Sequence, residues 1–186
     1  MKKKSLSVKK KIHKNLFKNL KKPRINKVYK KFKRNFRVKE KNTKIAIAVS
    51  GGADSLALSY FVKCLSIEKN LKVYFYTVNH NLRSNSSKEA LQVKKKLKNF
   101  GINCEILKWI GKKPTSNIQY YARKKRYELI FNKCLKNKIN TLLTAHNQND
   151  LYENFFIRML RGSGLSGIAS FSSVETNING FNVVRP

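Results

Sequence analysis

The chain has 186 residues, 41% of them hydrophobic, enough to bury one domain-sized core but short of two full domains. Its formal charge of +33 is extreme, and because phosphate neutralisation dominates nucleic-acid affinity, RNA or DNA is the leading partner. Lys and Asn supply 33 + 21 = 54 residues and both have A/T-rich codons, so composition bias accounts for part of that charge. No apolar run approaches the roughly 18 residues that span a bilayer, and the Lys-rich start lacks the apolar core of a secretory signal. Cys64, Cys104 and Cys134 make no CxxC pair for a metal or redox disulfide, which implies buried thiols in a soluble protein of a reducing compartment.

Residues 1–41 carry 19 Lys and Arg against one acid, Glu40, and read as a basic arm rather than a folded domain. Ile12, Leu16, Phe17 and Leu20 have the spacing of a short amphipathic helix that orders on a partner and ends at Pro23. The arm reads as RNA-phosphate-binding, with a solubilising extension or a targeting segment as alternatives. Transit peptides favour Arg and Ser over Lys, which argues against the last.

Ile45–Val49 is a β-branched-rich run with the length of a buried parallel strand, and it stops at Ser50-Gly51-Gly52. A helix beginning at Asp54 or Ser55 follows. Strand, glycine turn and helix N-terminus form an anion cradle, in which backbone N–H groups and the helix dipole favour phosphate. No Gly-Lys-Ser/Thr closes the loop as in a Walker A motif, and GxGxxG is absent.

Further strands are predicted at Val73–Val78, Cys104–Ile110 and Thr141–Ala145, and helices at Ser86–Phe100, Ser116–Lys136 and Gln148–Leu160, the last broken by Gly162 to Gly164. This alternation implies right-handed βαβ crossovers and a parallel sheet covered on both faces, with ligands at the carboxyl ends of the strands. Four stretches are thereby selected: residues 50–55, 79–83, 111–116 and 146–150. In the second, His80 is either a hydrogen-bonded structural residue or a site residue beside the cradle. In the fourth, Asp150 and Glu153 share a helical face at its positive end, as caps or as magnesium ligands through water. Arg158 and Arg161 share a face that can meet RNA or triphosphate.

The string Ser50-Gly51-Gly52-Ala53-Asp54-Ser55 resembles the SGGxDS signature of the PP-loop ATP pyrophosphatases, which cleave ATP between its α and β phosphates. Over roughly residues 43–186, SGGADSLAL, VNHNLR, NIQYYARKKRYELI and TAHNQNDLYENFFIRMLRGSGLSGIAS occur in the order and spacing of the bacterial and plastid tRNA(Ile)-lysidine synthases. That resemblance implies an α/β, parallel-sheet, Rossmann-like PP-loop domain over residues 42–186 behind the basic arm. It also implies a ligase that uses ATP to adenylate the C2 oxygen of the wobble cytidine in a CAU-anticodon tRNA(Ile). The ε-amine of free L-lysine then displaces AMP to form lysidine.

By the same resemblance, Ser50, Gly51, Gly52, Ala53, Asp54 and Ser55 bind ATP, Asp54 and Asp150 hold Mg2+, and Asp54, His146, Asp150 and Glu153 are catalytic. Arg83, Arg123, Arg126 and Arg161 contact RNA. His80 and Arg83 match the family's VDHGLR element, Arg123, Arg126 and Tyr127 its ARxxRY helix, and His146, Asp150, Glu153, Arg161 and Gly162 its AHHxDDxxET and RGSG elements. The departures are Asn79 for the usual Asp, Asn81 for a frequent Gly, Asn147 for the second His and Asn149 for the first Asp of a pair. Two carboxylates and an imidazole are thereby lost. Family members also continue past the point corresponding to Pro186, so the chain reads as a minimal form or a fragment, from a bacterial cytoplasm or a plastid stroma. A PP-loop tRNA thiolase and a catalytically decayed RNA-binding protein are the competing readings; the first lacks its paired cysteines here, and the Asn replacements favour the second.

Overall fold

Ile45, Ala46 and Ile47 are fully buried at the centre of a strand, Lys44–Ala48 (β1), whose β-branched residues suit a site covered on both faces. The computed structural model describes residues 14–36, 43–145, 175–178 and 180–186. Around β1 stand β2 (Lys72–Asn79), β3 (Cys104–Lys108), β4 (Thr141–Thr144), β5 (Glu175–Ile178) and β6 (Phe181–Val184). The helices are α1 (residues 14–20), α2 (Pro23–Asn35), α3 (Ala53–Lys69), α4 (Ser86–Lys98) and α5 (Ile118–Lys136).

The strands form one sheet in the order β3-β2-β1-β4-β6-β5, parallel throughout except for the β5–β6 pair at the edge. From β1 the chain runs outward through β2 and β3, then returns to β4 on the other side of β1. The order therefore reverses between β1 and β4, the place where an open α/β sheet leaves a crevice at its carboxyl end.

Side-chain alternation divides the core. Ile45, Ile47 and Val49 face α3 and α4, whereas Ala46 and Ala48 face α5, packed with Tyr76, Ile130, Phe131 and Cys134. The small residues of β1 leave room on the α5 side for larger rings, and Phe131 stacks on Phe181 with centroids 4.4 Å apart.

The basic N-terminal segment departs from expectation. Leu16 and Leu20 are 3% and 6% exposed, and they are buried against this chain's own core rather than awaiting a partner. Helix α1 ends at residue 20, ahead of Pro23 as expected, but Pro23 does not end the helical region. It opens α2, where its missing N–H has no helical acceptor to lose, and the Asn26 amide donates to the Leu20 carbonyl at 3.1 Å to cap the end of α1. Tyr29 and Phe32 lie against Phe61 at 5.5 and 5.9 Å, the Tyr60 hydroxyl donates to the Leu16 carbonyl at 2.7 Å, and Lys33 pairs with Glu68 at 3.3 Å. Helical periodicity shows that a face must be buried; it does not say against what.

Smaller shifts have local causes. Helix α3 begins at Ala53, one residue early, because Gly52 takes the extended N-cap conformation. Strand β3 stops at Lys108, although the Trp109 N–H still donates to the Asn79 carbonyl at 2.9 Å. The β5–β6 hairpin was not anticipated; it turns at Gly180, with φ of +80°, whose N–H donates to the Asn177 side chain. The helix expected at Gln148–Leu160 lies outside the described residues.

Candidate functional site

At the carboxyl end of β1 the chain turns through Ser50 and Gly51. Gly51 has φ of +93°, and a Cβ there would sit 2.5 Å from Val93 Cγ2 of α4, so a side chain is refused by both the backbone and the neighbour. The buried Ser55 hydroxyl ties the loop together. It accepts from the Gly51 N–H at 3.1 Å and from Ser50 Oγ at 3.1 Å, and donates to the Gly52 carbonyl at 2.9 Å. Gly52, the N-cap of α3, offers no side-chain cap, which leaves the first-turn amides directed at whatever anion enters. Asp54 is exposed in that first turn, beside Ala53.

A cleft of about 600 Å³ opens next to this loop. Its floor is the carboxyl ends of β1, β2 and β4 (Val49, Thr77, Thr144), and its walls come from α4 and α5. Ser50 is the loop residue that lines it; His80, Arg123, Arg126 and Tyr127 line it as well. Two separate stretches predicted from the sequence thus converge. Asp54 and Arg83 are exposed and stand outside the cleft lining. His146, Asp150, Glu153 and Arg161 lie outside the described residues.

His80 and Arg126 are 46 positions apart and meet in the cleft. The Arg126 Nε–H donates to His80 Nε2 at 3.4 Å, which places the imidazole proton on Nδ1. Burial, the Arg126 charge and the Lys113 charge, in that order, pull His80 from 6.5 down to about 4, so the ring is neutral at pH 7. Its Nδ1 is buried without a partner among the described residues and has a hydrogen bond to offer a ligand. Burial, and then repulsion from Arg123, lower Arg126, which makes no ion pair among the described residues. Arg123 lies over the Tyr127 ring, 5.6 Å from its centroid. Two guanidinium groups facing a phosphate cradle form a site for a polyanion.

The turn after β2 explains two of the sequence departures. Asn79 is 4% exposed; its amide donates to Ser87 Oγ and its carbonyl accepts from the Asn81 N–H, both at 3.0 Å. Asn81 has φ of +54°, a left-handed conformation that Asn tolerates nearly as Gly does. Both asparagines hold the turn that delivers His80. Sequence reasoning missed Val93 and Glu89 of α4 in the lining. Ser86 and Glu89 have the spacing of a capping box, the only local signal at that position.

The three cysteines contribute nothing to the cleft. Cys64 and Cys104 lie in the core on one face of the sheet and Cys134 on the other; burial raises the first two to about 11 and the third to about 12, so none is a thiolate at neutral pH. Among the described residues there is no cluster of three or more His, Cys, Asp or Glu to hold a metal, and no helix is long and apolar enough to cross a membrane.

Comparison with known proteins places this geometry. A family model described as a PP-loop domain matches residues 21–186. The tRNA(Ile)-lysidine synthase of Orientia tsutsugamushi (strain Boryong) is 44% identical over 147 residues, 79% of this chain and 33% of that protein. The tRNA(Ile)-lysidine synthase of Rickettsia bellii (strain OSU 85-389) is 40% identical over 144 residues, 77% of this chain and 33% of that protein. The chain therefore spans about a third of the length of these relatives. Among solved structures, the U34-tRNA thiolase NcsA from Methanococcus maripaludis, with its 4Fe-4S cluster, has the same fold at a TM-score of 0.72 and 18% identity, over 87% of this chain and 57% of that one.

Proposed function

Because this chain belongs to the PP-loop domain family, we propose that it carries the ATP-using step of a tRNA(Ile)-lysidine synthase. The observation that carries the reading is the likeness to the Orientia and Rickettsia lysidine synthases over more than three-quarters of the chain. The cradle and cleft support it chemically. ATP is a co-substrate whose phosphates suit the Gly51–Ser55 loop, where two glycines leave the backbone N–H groups uncovered at a helix N-terminus. The first-turn amides of α3 meet the negative charge that develops on departing pyrophosphate. Arg123 and Arg126 draw the RNA or triphosphate into the cleft, and Arg83 and Arg161 extend that contact. The C2 oxygen of the wobble cytidine attacks the α-phosphorus, and pyrophosphate leaves. The lysine ε-amine then attacks C2, AMP leaves, and the amine proton passes to a carboxylate or imidazole among Asp150, Glu153 and His146. Asp54 and Asp150 would hold Mg2+, a small carboxylate set that suits this ion, and the metal would supply charge neutralisation for the departing pyrophosphate.

A sulfur-transfer reading has no support from this chain's buried, separated cysteines. Those thiols suit a reducing compartment such as a bacterial cytoplasm or a plastid stroma.

The test is incubation of the full chain with ATP, Mg2+, labelled lysine and CAU-anticodon tRNA(Ile). The expected result is lysine incorporation into tRNA with matching release of AMP and pyrophosphate. Pyrophosphate release without lysine incorporation points to another PP-loop reaction. tRNA binding with no AMP formed points to a decayed, RNA-binding scaffold.

A further inference from the structure

Among the described residues, seven large apolar side chains are exposed, and four of them (Ile110, Ile118, Tyr120 and Tyr121) fall within the β3–α5 connection and the first turn of α5. Such a cluster on a highly charged surface marks a contact site. The two tyrosines are adjacent, 64% and 43% exposed, and set edge-to-face with centroids 5.3 Å apart and planes at 79°. Tyr120 begins a helical ridge that continues at i+3 and i+7 through Arg123 and Tyr127, both of which line the cleft. The ridge therefore leads from solvent into the cleft. Arg123, Lys124 and Lys125 follow the tyrosines along α5, and Lys112 and Lys113 precede them in the connection. An acidic protein surface would satisfy the charge alone, and an apolar partner the rings alone. Single-stranded nucleic acid satisfies both, because its bases have faces to stack and its backbone is anionic.

We infer that Tyr120 and Tyr121 form a base-stacking platform at the mouth of the cleft for the unpaired bases of an RNA loop. The platform holds a neighbouring base while another enters the cleft. The inference rests on the reading of RNA as substrate, but its test does not need the ligation reaction.

The full chain is titrated with a short hairpin RNA carrying a fluorescent base in its loop, and with a blunt duplex RNA of equal length. Tyr120→Ala and Tyr121→Ala are each expected to lower hairpin affinity by about 5- to 150-fold, the range carried by one base–aromatic stack, and to leave duplex affinity unchanged. The phenylalanine variants are expected to retain hairpin affinity. Both rings are exposed, so thermal melting stays at the wild-type midpoint. Unchanged hairpin affinity in the alanine variants, equal loss on duplex, or equal loss in the phenylalanine variants overturns the platform. A chain that ligates no lysine yet loses hairpin affinity on Tyr120→Ala keeps the platform and overturns the lysidine reading. Normal ligation with unchanged hairpin affinity does the reverse.

Discussion

At the scale of single residues, Gly51 and His80 make separable predictions. Gly51→Ala introduces a left-handed alanine and a contact of 2.5 Å with Val93. The backbone alone costs about 1–3 kcal/mol, and ATP affinity is expected to fall with stability. Val93→Ala in the same chain removes the clash but not the backbone strain, so denaturant melts should recover only part of the loss. Full recovery would show that the backbone at residue 51 relaxes freely. For His80 the sign follows from its depression to about 4 from 6.5. The folded chain binds fewer protons here than the unfolded chain between those values, so stability falls as pH drops from 6.5 through 4 and is indifferent to this group above that window. His80→Gln removes that dependence. Urea midpoints at pH 7.5 and 4.5 should differ less in the variant than in the parent, and equal differences would mean that His80 is solvated.

At the scale of elements, two helices matter in opposite ways. Helix α3 presents its N-terminus to the cradle, with Asp54 exposed in its first turn. Asp54→Asn is expected to slow adenylation by at least about 100-fold, in keeping with loss of one preorganised charge partner, while tRNA binding stays near normal. Adenylation at wild-type speed removes Asp54 from the mechanism. Helix α2 does not touch the cleft, yet Phe32 is 6% exposed against α3. Phe32→Ala is expected to destabilise the whole domain by about 3–5 kcal/mol, read as a lowered urea midpoint. A wild-type midpoint would mean that α2 is a loosely attached arm. The same packing means that removing residues 1–41 would strip core side chains along with charge.

For the whole molecule, the charge of +33 should govern RNA affinity. The α1–α2 layer presents a basic outer face while its apolar face is held on α3, which fixes those cations in space. We expect Lys18, Arg24, Lys27, Lys31 and Arg34, all exposed, to meet RNA phosphates. Replacing all five by Gln leaves the buried face intact. If each neutralises one phosphate, the slope of log affinity against log salt falls by about 3.5 to 4.5. Cognate and non-cognate tRNA should weaken together, because phosphate contacts do not read sequence. An unchanged slope makes the layer a solubilising one, and a loss confined to cognate tRNA shows that it reads shape.

The β1 run, the glycine turn and the α3 start were legible in the sequence, because strand periodicity, glycine torsion and helix capping act over a few residues. So was the position of the candidate cleft at the carboxyl end of the sheet, which follows from βα alternation. Tertiary structure decided what lies across from those local features. Val93 closes on Gly51 from 42 residues away in sequence, and Arg126 reaches His80 across 46. Sheet order and helix packing set both contacts, and no local pattern encodes them. The desolvation that keeps His80 neutral likewise exists only once α5 covers it. Leu16, Phe17 and Leu20 showed the stripe of an amphipathic helix in the sequence, and only the fold supplied the core surface that buries it, along with Tyr29 and Phe32, which the sequence reading did not single out. A hydrophobic stripe dictates burial, whereas its partner depends on every other element that competes for the same face.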